Sequence, residues 1–188
     1  MALRIERKKD SRLSKCILHR VADIPGGVTV STAGLGGAVL SEGTPIGKGS
    51  NGLYAVCKTA KVLTKAEASA TTYEVNKGHL FNVGDRFATD KANGKTIKSI
   101  DKSDAAKDVI TLDASLGVEV KAGSCAFESA GDNKNLKVEP IAVTGSSYDI
   151  AKGDNIFVDA WLHAVVSEGN APAVNDTIKS TLKCVSYV

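Results

Sequence analysis

The chain has 188 residues, enough for one domain or two small ones with a real core. Its 43% apolar and 24% charged residues exclude a disordered chain, and no run approaches the roughly 20 apolar residues of a membrane span. The net charge of +3 is uneven: residues 1–20 carry seven Lys/Arg and two Asp/Glu, net +5, and the rest of the chain is −2.

The first twenty residues therefore read as a basic arm suited to an acidic partner or an anchoring role. Arg4, Glu6, Arg7, Lys8, Lys9, Asp10 and Arg12 interrupt any apolar signal core, so synthesis and function without secretion are expected. The arm has no aromatic residues interleaved with its charges, so no specific nucleic-acid partner is expected. Residues 1–52 as a whole read as an extended, glycine-rich arm. Pro25-Gly26-Gly27 makes a turn, and Gly34, Gly36, Gly37, Gly43, Gly47, Gly49 and Gly52 follow closely, with short strands such as 28–32 between them. The glycines around Lys48 fail the phosphate-loop pattern, because Gly43 and Gly47 are four apart and Gly49 stands where Ser or Thr is required.

Residues 53–128 read as a β module. Runs 53–56 and 60–63 are short and β-prone, and Thr71-Thr72-Tyr73-Glu74-Val75 is β-branched and aromatic. Turns follow at Asn76-Lys77-Gly78 and Val83-Gly84-Asp85. Asn93-Gly94 is the strongest hairpin signal and is expected to join strand 86–89 to an irregular strand 95–101. Strands 109–112 and 124–128 complete the module. Residues 129–135 form a polar linker.

Residues 129–188, entered through that linker, read as a second β unit with a short helix, with one continuous domain including the first as the alternative. Run 136–143 contains Pro140, which favours a sheet edge. Ile156, Val158, Ala160, Leu162, Ala164 and Val166 alternate over one long strand, with Trp161 and His163 on its other face. Ile178, Leu182 and Val185 switch to helical spacing, and Asn175 or Asp176 can cap a short helix over 174–182. A last strand is expected over 184–188. The hexads Tyr73–Gly78 and Tyr148–Gly153 are alike, as two uses of one turn. The expected fold class is mainly β, with small barrel or sandwich modules, one short C-terminal helix and an extended N-terminal arm.

No residue set points to catalysis. His19, His79 and His163 lie in no nucleophile signature, and a packed or surface role is expected for each. Asp85, Asp101, Asp104 and Asp108 fall at turns and strand ends, where aspartate caps backbone N–H groups. Cys16, Cys57, Cys125 and Cys184 are 41, 68 and 59 residues apart, without a paired metal motif, and are expected to be buried thiols. Gly84-Asp85-Arg86-Phe87 and Gly94-Lys95-Thr96-Ile97 also occur in self-splicing modules, but the Thr-x-x-His such modules need is absent. The expectation is no catalytic residue, no cofactor and no metal.

Residues 72–85, with Lys77-Gly78-His79, Phe81 and Val83-Gly84-Asp85 at their centre, resemble a motif of head-fibre and capsid-decoration proteins of tailed bacteriophages. Residues 108–117, 121–123, Gly43–Gly47 with Gly52–Tyr54, Val158–Trp161, Ala171-Pro172 and 178–182 are similar to further parts of that family, so the likeness spans about residues 40–188. Within it, the glycines and Asp85 serve turns, and Phe81 and Val83 serve the core. The resemblance implies a structural protein of the virion, made in the bacterial host cytoplasm and placed on the capsid surface. It implies the major capsid protein as partner, a homo-oligomer (a trimer), and no membrane. The alternative is a carbohydrate-binding or adhesion module, for which Trp161 and Tyr148 form the one candidate aromatic platform.

Overall fold

The computed structural model describes residues 15–151 and 153–188. Sixteen strands and one short helix follow one another in these residues. In chain order they are β1 (Ile17–Asp23), β2 (Val28–Val30), β3 (Val39–Leu40), β4 (Pro45–Lys48), β5 (Tyr54–Val56), β6 (Thr59–Lys61), β7 (Thr72–Asn76) and β8 (Arg86–Thr89). Then come β9 (Ala92–Asp101), β10 (Lys107–Leu112), β11 (Cys125–Glu128), β12 (Pro140–Thr144), β13 (Tyr148–Asp149), β14 (Ile156–Val158), β15 (Ala160–Val166), α1 (Asp176–Thr181) and β16 (Val185–Tyr187).

The mainly β fold with one short C-terminal helix is the expected one. Strands β6 to β11 make a six-stranded sheet in the order β6-β11-β8-β9-β10-β7. Its two ends meet again, because Val62 bridges Val75 and Leu63 N donates to Glu74 O at 2.8 Å. The sheet thus curls into a small barrel around Tyr73, Phe81, Phe87, Ile97 and Ile110, each at most 1% exposed. The larger sheet runs β1-β15-β12-β4-β5-β2-β14, with β16 parallel to β15. Asp159 alone separates β14, at one end of that order, from β15 near the other, so this sheet is curled too.

Strand β11 joins the two. Alternate side chains leave a strand on opposite faces. Ala126 therefore enters the barrel cluster, while Cys125 and Phe127 enter a second cluster with Val143, Ala164, Val166, Ile178 and Leu182 of the larger sheet and helix. The helix is held by Asn175, whose side chain accepts from Ile178 N at 2.8 Å.

Several expectations are corrected. Residues 17–56 carry β1, β2, β4 and β5 of the larger sheet and bury Ile17, Val30 and Ile46, so the glycine-rich stretch is sheet and turns, not an arm lying outside the core. The expectation for residues 1–14 lies outside the described residues. Run 53–56 belongs to the larger sheet, which therefore closes across the linear boundaries drawn at 52 and 128. Pro140 is not on an edge: β12 lies between β15 and β4, and proline is accommodated at the strand's first residue beside a bulge. The β8–β9 turn falls at Asp90-Lys91, with Thr89 opposite Ala92, and Asn93-Gly94 lies within β9. Gly94 is needed for close approach instead: a Cβ there would sit 2.0 Å from Ser129 Oγ. The long strand 156–166 breaks at Asp159, and Leu162 is 38% exposed, not inward.

Candidate functional site

The residues of the 72–85 motif are gathered in one place. Strand β7 ends at Asn76, Gly78 turns the chain with φ +79°, and His79 and Phe81 drop into the interior. Val83, expected in the core, is 57% exposed, because the 82–85 turn carries it outward. Asp108, at the second residue of β10, is buried and faces two side chains of the motif. Lys77 Nζ donates to its Oδ1 at 2.5 Å, and His79 Nε2 faces its Oδ2 at 3.1 Å.

His79 is engaged through one ring nitrogen. Its Nδ1 accepts from Phe81 N at 3.2 Å, so the proton sits on Nε2, which lies 3.1 Å from Asp108 Oδ2 but makes no hydrogen bond of good geometry. Burial, more than any charge, lowers its proton affinity below the ordinary histidine value; Asp108 pulls the other way and Lys102 and Lys77 add to the lowering. A general base needs a free lone pair beside a nucleophile, and this ring has spent its lone pair on the backbone. His19 and His163 are exposed on β1 and β15. Asp101 accepts from Ser103 N at 2.9 Å, Asp104 from Ala106 N at 2.8 Å and Asp85 from Asn82 N at 2.7 Å, which is capping of the expected kind. Asp108 is the exception, a buried hub for Lys77 and His79.

A second cluster went unread in the sequence. Lys58 is the one buried lysine among the described residues, with 6% of its side chain exposed. Its Nζ donates to Asp85 Oδ2 at 2.6 Å and Gly34 O at 2.7 Å, and lies 3.6 Å from Glu128 Oε2. Glu128 is itself buried and takes Lys137 Nζ on Oε1 at 2.6 Å. Burial raises the proton affinity of Glu128 against the pull of Lys137 and Lys58. The signal was present: Lys58 shares the inward parity of Ala60 and Val62, and Glu128 that of Ala126, so two charges occupied core positions.

The aromatic pair Tyr148 and Trp161 is brought together by Asp159. Tyr148 Oη donates to Asp159 Oδ1, and Trp161 Nε1 donates to Oδ2 at 3.2 Å. The Arg20 guanidinium covers the indole at 5.4 Å from its centroid and also reaches Glu42 at 3.3 Å and Gly145 O. Beside it opens a cavity of about 530 Å³ lined by Lys15, His19, Glu42 and Ser146 among others. Three of the four cysteines are buried as expected, and Cys184 is exposed. Burial pushes the Cys16 and Cys57 thiols up to about 12, so neither is a ready nucleophile at neutral pH. Among the described residues, no group of three or more His, Cys, Asp or Glu is placed to hold a metal ion. No helix among them is long and apolar enough to cross a membrane.

Comparison with protein-family models, curated proteins and solved structures found no match to this chain.

Proposed function

We propose that the chain is a structural protein of a tailed-phage virion that decorates or projects from the capsid surface and reinforces it without catalysis. The sequence motif at residues 72–85 suggests the class, and strand β1 is the observation that carries the docking role. Among the described residues β1 pairs with β15 alone, and six of its seven residues are exposed. Leu18 and Val21 present more than half of their surface to solvent. A strand with an open edge and apolar side chains is a template for another chain. Its first four residues belong to the basic first twenty of the sequence, so the charge and the open strand edge are neighbours in the chain. The partner in this reading is the major capsid protein, and the assembly is a trimer.

Electron microscopy of the parent virion with labelled protein tests the reading; label confined to the host cytosol would overturn it. Docking should weaken with salt, since exposed charges are screened beyond about 10 Å at 0.1 M. Capsid co-sedimentation of a chain beginning at Lys15, beside one beginning at Val21, separates the contributions of charge and strand. Salt-independent docking by both would move the anchor to another surface.

A second reading, an adhesion or carbohydrate-binding module, is favoured by the Tyr148–Asp159–Trp161 grouping beside an open cavity. Absence of binding on a glycan array would remove it.

A further inference from the structure

Lys58, Asp85 and Glu128 come from three separate stretches of the chain and meet at one end of the barrel core. Lys58 and Glu128 face each other across β6 and β11, where Glu128 N donates to Lys58 O at 3.0 Å. Asp85 is two residues before Phe87, which pairs with Glu128 and points into the barrel. Glu128 leaves β11 on the face of Ala126, and Lys58 and Asp85, in the segments just before β6 and β8, meet it there. The Gly34 carbonyl closes over the lysine from the opposite side. The arrangement is a primary amine in contact with one carboxyl, a second carboxyl touching the amine, and almost no water. Side chains of Lys58 and Glu128 are 6% and 4% exposed, and that of Asp85 is 13% exposed.

We propose that Lys58 and Asp85 condense to an intramolecular amide bond, once per chain, with Glu128 as the proton carrier. Transfer of a proton from the Lys58 ammonium to Asp85 Oδ2, the oxygen it touches, gives an amine and a carboxylic acid in contact. Contact makes the attack unimolecular. The Nζ lone pair adds to Asp85 Cγ and the carbonyl electron pair moves to Oδ1. Asn82 N, 2.7 Å from Oδ2, holds the oxygen that carries the transferred proton. Glu128 takes the proton that the nitrogen must shed and returns it to the departing Oδ2 hydroxyl. One C–N bond forms, one C–O bond breaks, one water leaves, and nothing is oxidised or reduced. The one N–H that remains keeps the Gly34 carbonyl as its acceptor. Burial raises the proton affinity of Glu128, as an acceptor in this step requires, while Lys137 anchors its other oxygen.

The bond would tie the segment before β6 to the turn before β8, 27 residues on, fixing the barrel wall that faces residues 34–36. The inference does not rest on the virion reading, and its test leaves docking untouched. Intact mass of the full-length protein under denaturing conditions should be one water lighter than its sequence. A tryptic digest should contain a branched peptide joining Lys58 to residues 78–86, absent from Lys58→Arg. Glu128→Gln, shown to be folded by circular dichroism, should keep the full sequence mass. A wild-type chain at full mass after prolonged incubation at neutral pH would overturn the proposal. So would a water loss mapped to an aspartyl succinimide elsewhere. A cross-link retained in Glu128→Gln would overturn the role given to Glu128.

Discussion

The barrel and the larger sheet use the same short strands but are wired in opposite ways. The barrel takes β6 to β11 from a single stretch, and two of its pairings, β8 with β9 and β9 with β10, join neighbours in the chain. The larger sheet takes β1, β2, β4 and β5 from the first part and β12, β14, β15 and β16 from the last, with β1 lying against β15. Three of its pairings, β1 with β15, β4 with β12 and β2 with β14, cannot form until the whole intervening barrel has been spanned. Non-local pairing costs loop-closure entropy before any contact repays it. The barrel is thus an insertion that folds on its own pairings, and the larger sheet is the clasp that closes round its ends.

The clasp and the insertion share one cluster, and Phe127 is its largest fully buried member on the barrel side. Phe127→Ala should cost about 3–5 kcal/mol, the largest single effect expected here. Because Phe127 touches both regions, unfolding should remain one transition. Trp161, the single tryptophan, reports the larger sheet by fluorescence, and far-UV circular dichroism reports all strands. Coincident midpoints in denaturant would support the shared core. A tryptophan signal lost well before the far-UV signal would show that the two regions unfold separately.

The difference in wiring also explains what could be read from the chain. The barrel strands at 72–76, 86–89 and 109–112 were legible because alternation and turn residues are local signals. The helix was legible because Ile178 and Leu182 keep a helical spacing behind an asparagine cap. Within 17–48 only a short strand at 28–32 was read, since β1, β2 and β4 each take one partner more than 90 residues away and the glycines serve close packing. Gly47, for example, has no room for a Cβ, which would sit 2.0 Å from Glu139 O. In the site, the motif from Lys77 to Asp85 was visible, but its partners were not. Asp108 looked like a turn aspartate, and Lys58, Glu128 and Lys137 carried no motif. Their only trace was a charge at a core parity.

The buried histidine of the barrel gives a pH test confined to that region. His79 is held neutral, with a folded-state proton affinity below the ordinary 6.5, and it accepts the Phe81 N–H through Nδ1. A depressed value means the unfolded chain binds the extra proton. Stability from this group is therefore complete above 6.5 and is lost as pH falls below it, by at most about 1.4 kcal/mol per pH unit. Glu128 has the opposite sign: its raised value makes folding less favourable as pH rises above 4.5, so acidification relieves it. Denaturant unfolding on either side of 6.5 should show the loss in the wild type and a flatter profile in His79→Gln. An unchanged slope in the variant would assign the titration to another group.

The smallest expected effect lies on the outer face of the larger sheet. Arg20 touches Glu42, the Gly145 carbonyl and the face of Trp161, yet 43% of its side chain is exposed. Solvent screens such a pair, and a cation over an indole at an exposed site adds about 0.5–1 kcal/mol. Arg20→Ala should therefore lower stability by about 1 kcal/mol or less, several times less than Phe127→Ala. The indole should nevertheless respond, because the substitution uncovers its ring: a red shift of Trp161 emission in the native state is expected without loss of far-UV signal. If the midpoint fell as far as in Phe127→Ala, β1 would be a structural member of the clasp on the scale of the core itself. Its exposed surface would then be better explained by the needs of the fold than by a docking role.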